Sequence, residues 1–182
     1  MKLRRYPFIL LISLVLAGSA FSQPDAAGML TKRFSKETGK TRVYLGAMPV
    51  EGTGGKRAML GGGFAYAGKD LIETACCVTF DFTSSNSDGL LFKDNHSATF
   101  LVDGEAIEFN DTTWAEVPDP PMHLSPRFKS YIEHVVIKMD RNKLQQIAAA
   151  KKVKLKIGNI TYTIDKFNRE SFGALAKRMI AP

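Results

Sequence analysis

Cys76 and Cys77 are the only two cysteines in the chain, and they are adjacent. Thiols at this spacing raise four chemistries: a strained disulfide, a redox centre, part of a metal site, or a link to another chain. A disulfide framework needs further cysteines, and a CxxC redox motif needs two intervening residues. Neither is present. No histidine lies within ten residues of the pair. In an extended segment adjacent side chains point to opposite sides, so the two sulfurs cannot grip one ion. A direct Cys76–Cys77 bond would distort a strand and strain the bridge. Read as a strand, 74–83 places Thr74, Cys76, Val78, Phe80 and Phe82 on a core face and Ala75, Cys77, Thr79, Asp81 and Thr83 on a half-polar face. Cys76 is expected as a packed core thiol, and Cys77 is the candidate intermolecular thiol.

The histidines are His96, His123 and His134, and no two stand at i, i+2 or i, i+4. No metal pair is therefore expected. His134, between Ile132 and Val136, stands alone in the sequence and reads as a satisfied, partly buried histidine rather than a ligand. Asp119, His123 and Ser125 share one proline-rich loop. A nucleophile triad is defined by geometry rather than co-occurrence, and no G-x-S-x-G elbow accompanies the three. The glycines of "EGTGGKRAMLGGGF" do not form a phosphate loop, because Val50 and Arg57 stand where Gly and Ser or Thr are required. No catalytic residue, metal or cofactor is assigned, and a binding role is favoured over an enzymatic one.

The strongest positive feature is a cationic row. Lys152, Lys154 and Lys156 alternate along one strand, and a turn at Gly158-Asn159 brings Thr161 and Thr163 beside them. Such a face can meet an anionic surface, an envelope polymer or an acidic partner. The favoured reading of the row is nevertheless a solvated sheet face, or edge lysines that block aggregation. Aromatics do not interleave with the lysines, which argues against nucleic acid.

Two hairpins must hold these residues. In "SATFLV-DG-EAIEF", Asp103-Gly104 suits a type I′ turn, pairing Val102 with Glu105, Phe100 with Ile107 and Ala98 with Phe109. In "VKLKI-GN-ITYTI", Ile157 meets Ile160, Leu155 meets Tyr162 and Val153 meets Ile164, with the lysines and threonines opposite. A one-residue slip would turn every apolar side chain to water. Upstream, 41–50 reads as a strand with Val43, Leu45 and Ala47 on one face. Residues 57–68 read as another, whose Gly61-Gly62-Gly63 calls for a bulge or a close backbone approach. Residues 130–139 form a strand with Val135, Ile137 and Met139 inward. Asp140 then caps a helix over roughly 141–151, and Asn168 is the expected cap of a last helix carrying Phe172, Leu175, Ala176 and Met179. Residues 112–129, with four prolines, read as an irregular loop. The sum is an α+β fold: a mainly antiparallel sheet, able to curl strongly, with two C-terminal helices on one face. The strand–helix–strand over 130–157 leaves room for one parallel pair.

The chain begins "MKLRRYPFILLISLVLAGSAFSQ". A cationic start, an apolar run from Phe8 to Ala17 and the small-x-small Ala20-Phe21-Ser22 form the layout of a signal peptide. Cleavage after Ser22 leaves 160 of the 182 residues, enough for one domain with a real core. Removing Lys2, Arg4 and Arg5 lowers the formal charge from +7 to +4. No cysteine follows the apolar run, so no lipid anchor is expected. The expected organisation is a signal over 1–22, a flexible lead or short helix over 23–40, and one domain over 41–182. The expected role is an exported binding or accessory domain of a bacterial envelope, periplasmic or secreted. Its partner is an envelope protein or anionic polymer, with no nucleic acid and no stable membrane insertion. An envelope hydrolase whose site is assembled from loops is the alternative; it requires His123 or His134 near a carboxylate and a hydroxyl.

Overall fold

The computed structural model describes residues 28–117 and 131–182. Among these, ten strands form one sheet: β1 Leu30–Ser35, β2 Lys40–Gly52, β3 Arg57–Ala67, β4 Cys77–Asn86, β5 Ala98–Val102, β6 Glu105–Phe109, β7 Thr112–Val117, β8 Tyr131–Asp140, β9 Val153–Ile157 and β10 Ile160–Ile164. Helix α1 (Arg141–Ala149) follows β8, and α2 (Lys166–Arg178) follows β10. The strand order is β6-β5-β9-β10-β2-β3-β4-β8-β7, with β1 beside the first half of β2. Every ladder is antiparallel. The strand–helix–strand from β8 to β9 makes no parallel pair, because β9 lies between β5 and β10.

Nine strands laid flat would separate β6 from β7 by about 38 Å, at about 4.8 Å per neighbour. Yet only Asn110 and Asp111 join these two strands, and such a link spans roughly 11 Å at most. The sheet must bend round until its ends approach, but no ladder joins β6 to β7, so it is not closed.

One face of the strands is apolar and fills the inside of the bend. Leu45, Leu60, Phe80, Phe82, Phe100, Val135, Ile137, Leu155 and Tyr162 are all fully buried. The helices seal this interior: Leu144 and Ile147 of α1 are buried, and Phe172 of α2 meets Phe80 edge-on at 4.9 Å. Asp140 caps α1 by accepting from the Lys143 N–H at 2.8 Å. Both hairpins have the expected registers. Their turns explain why: Asp103 (φ 51°) and Gly104 (φ 101°) are both left-handed, as a type I′ turn demands.

Five readings change. Leu30–Ser35 forms a strand, where a flexible lead or short helix was expected; Leu30 faces Leu45, and a ladder to β2 outweighs the weak local pattern. In β2 the register shifts between Leu45 and Met48, so Met48 and Val50 take over the core face and Ala47 leaves it. Gly46 in this bulge exchanges hydrogen bonds with Gly28 and Met29. Thr112–Val117 is a strand on β8 rather than loop. The cap of α2 is Asp165, and Asn168 is its third-position partner in a capping box. Cys76 precedes β4 and is exposed, so it is no core thiol; the strand starts one residue later. The signal region and the set Asp119, His123 and Ser125 lie outside the described residues.

Candidate functional site

The outer face of the sheet carries the lysine row. β9 is an interior strand, so Lys154 and Lys156 do not guard an edge. Register places Lys156 between Thr99 and Thr161, and Lys154 between Leu101 and Thr163. Both lysines are exposed, and neither has an ion-pair partner among the described residues. Lys152 lies just before β9. Its N–H and that of Lys151 donate to the Asp103 carboxylate at 2.7 and 3.1 Å. These two backbone donors hold the Asp103 carboxyl below its usual range. A cleft of about 660 Å³ opens beside this turn, lined by Leu101, Asp103, Gly104, Lys151, Lys152 and Lys154. Lys152, Lys154, Lys156, Thr161 and Thr163 therefore share one region of the surface, with Lys152 at its margin.

Further along the same outer face lies a shallow groove of about 570 Å³ across β1 to β4. Gly63 forms part of it, and a Cβ there would collide with the Val43 carbonyl oxygen. That is the close backbone approach the three glycines demanded. Arg33 and Arg42, directly opposite each other, stand on one side. Asp81 stands on the other, and His134 of the next strand places Nδ1 3.0 Å from its Oδ1. His134 is thus the satisfied, partly buried histidine expected, and its partner is Asp81 because β4 and β8 pair with Thr83 opposite His134 and Asp81 two residues away. No hydroxyl is hydrogen-bonded to His134 among the described residues.

The inner face holds a polar group that the sequence reading missed. Glu133 is fully buried. One carboxylate oxygen accepts from the Leu91 N–H at 2.6 Å; the other accepts from the Phe92 N–H at 2.9 Å and Trp114 Nε1–H at 3.0 Å. The signal was available: Glu133 is in phase with Val135, Ile137 and Met139, and a carboxylate on a core face needs donors. The Tyr162 hydroxyl is buried nearby without a hydrogen bond. Burial, then the charge of Glu133, pushes its phenol up to about 12, while Ser84 acts in the opposite direction. This constellation has every carboxylate oxygen occupied and is structural.

Cys76 and Cys77 are both free, and Cys77 is half-buried. A hydrogen bond with Cys76, then burial, raises the Cys77 pKa. The protonated thiol is favoured, which opposes the thiolate chemistry a reactive cysteine needs. Among the described residues, no group of three or more His, Cys, Asp or Glu side chains is placed to hold a metal, and no helix is long and apolar enough to cross a membrane. No protein-family model, curated protein or solved structure matches the chain.

Proposed function

We propose that this chain is an exported, non-enzymatic binding or accessory domain of a bacterial envelope, and that it engages an anionic envelope polymer through the outer face of its sheet. The observation that carries this reading is the position of Lys154 and Lys156. They stand exposed on an interior strand, flanked by the hydroxyls of Thr99, Thr161 and Thr163. Interior strands have no edge to protect, so the aggregation-blocking explanation lapses. Cations without acidic partners among the described residues, beside threonine hydroxyls, suit carboxylate or phosphate groups on a flat polymer. The signal-like first 22 residues supply the export half of the proposal.

The test is retention of the exported protein on anionic cell-wall material at graded salt. Lys154→Gln/Lys156→Gln should elute at clearly lower salt than the parent. Equal retention of the two proteins contradicts the reading.

A second reading, an envelope hydrolase, has its own observation: the Asp81–His134 contact at 3.0 Å. An acid-oriented imidazole is two parts of a general-base system, and a positioned nucleophile is the third. Hydrolysis of ester or glycoside reporters that disappears in His134→Ala would favour it over binding alone.

A further inference from the structure

The bent sheet has an open end where the last turn of α2 meets β1 to β3. Register sets Leu30 opposite Leu45 and Val43 opposite Phe64, so these side chains face the interior. At this end the interior is not filled. A hollow of about 470 Å³ lies over Leu30, Val43 and Tyr66, in the size range of small-molecule sites. Leu71, from the segment between β3 and β4, forms a second wall, and Lys177, Arg178 and Ile180 at the end of α2 form a third. The second and third walls are tied together. The Ala75 N–H donates to the Met179 carbonyl oxygen at 2.8 Å, and the Ala181 N–H donates to Thr74 Oγ1 at 3.3 Å.

The lining divides into an apolar part and a cationic part. Leu30 and Leu71 are half-buried, packed on the core from one side and bordering the hollow on the other. Lys177 and Arg178 are exposed, and neither side chain makes a hydrogen bond, ion pair or ring contact among the described residues. Lys32 also lines the hollow, but its Nζ stands 5.9 Å from the centre of the Tyr66 ring, so it is engaged and is not counted as an anchor. Asp70 is the one acidic side chain in the lining, against the three cations. Cations in the last turn of a helix complement its negative end. That accounts for the sign of Lys177 and Arg178, but not for the unfilled apolar surface beside them.

We propose that this hollow binds a single-chain anionic amphiphile, with its carboxylate or phosphate head at Lys177 and Arg178 and its alkyl chain over Leu30, Val43 and Leu71. A small polar anion would leave the apolar walls wet. An uncharged chain would forgo the charge-assisted hydrogen bonds that a guanidinium and an ammonium offer. The site lies at the mouth of the interior, apart from the outer face, and stands or falls independently of the lysine row.

The test is a nuclear magnetic resonance titration of the exported protein with butanoate, hexanoate, octanoate, octanol and octylammonium at low salt. Octanoate should shift the signals of Leu30, Val43 and Leu71. Each two-carbon extension of the acid should tighten binding about tenfold, because each buried CH2 contributes about fourfold. Octanol and octylammonium should each bind about tenfold more weakly than octanoate. Lys177→Gln/Arg178→Gln should weaken octanoate about tenfold and leave octanol unchanged, a split that a role confined to the helix end would not produce. Leu71→Ser should weaken both. Absence of shifts in the hollow, affinity indifferent to chain length, equal binding of octanol, or octanoate binding indifferent to the double variant overturns the proposal. Phosphatidylglycerol vesicles separate the sources of the ligand. Vesicle retention that octanoate competes away supports a membrane lipid, and octanoate binding without retention supports a free amphiphile. Retention on vesicles with no octanoate shift overturns the proposal and leaves a membrane-docking surface in its place.

Discussion

Glu133 and His134 are neighbours in β8 and face opposite sides of the sheet. Glu133 points into the interior and is surrounded by three fixed donors. His134 points outward, about one-third exposed, and meets a single carboxylate that is itself about half exposed. Both are charge-bearing groups with well-placed partners, so proximity of polar side chains does not separate structure from function. What separates them is remaining capacity. The inner carboxylate has donors on both oxygens and no route to solvent, whereas the outer pair keeps lone pairs and access for a ligand.

The largest effect that sharpens this contrast lies inside. Glu133→Ala leaves the N–H groups of Leu91 and Phe92 and the Trp114 indole without their acceptor. An unfolding free-energy loss of about 3 kcal/mol or more is expected in urea denaturation, since each orphaned buried donor costs about 1–3 kcal/mol. Glu133→Gln should recover part of the loss, because one acceptor oxygen remains. A loss below 1 kcal/mol in the alanine variant would break the comparison.

Tyr162 gives the next effect, through pH. Its phenol is pushed up to about 12 in the folded chain, from an ordinary value of 10.0. The folded state therefore holds the proton more tightly than the unfolded state. The resulting stabilisation is complete below pH 10 and is lost as pH rises toward 12. Its size is on the order of 2 kcal/mol. Tyr162→Phe should flatten the alkaline loss of stability over that window, measured as the difference between the two proteins' denaturation midpoints.

The smallest effect is expected outside. His134→Ala should change stability by no more than about 1 kcal/mol, the range of exposed ion pairs. A loss as large as that of Glu133→Ala would make the outer pair structural too.

The same alternation explains what was legible in the sequence. Where a turn type and a two-residue period agreed, as at Asp103-Gly104 and Gly158-Asn159, registers followed residue by residue. The lysine face came with them, because fixing Leu155 inward fixes Lys154 and Lys156 outward. Illegible were features decided by partners distant in the chain. β1 exists because β2 offers an edge, and β7 because β8 does. The bulge in β2 turned Ala47 out of the core through a shift against β3 that local pattern does not encode. Cys76 was misplaced because β4 starts at Cys77, and the preceding segment is held by backbone bonds from Ala75 to Met179 and from Arg141 to Cys76. Asp81 and His134 are 53 positions apart, so only the β4–β8 ladder could show that they meet.

The most direct test of the central claim is a resonance map of the exported protein as a soluble anionic cell-wall polymer is added. Outward amides of β9 and β10, at Lys154, Lys156, Thr161 and Thr163, should shift in a saturable, salt-sensitive manner, while those of Glu133 and the strand segment around Phe82 stay in place. A polymer that leaves the β9–β10 signals unmoved, or shifts inner and outer residues alike, would contradict the account.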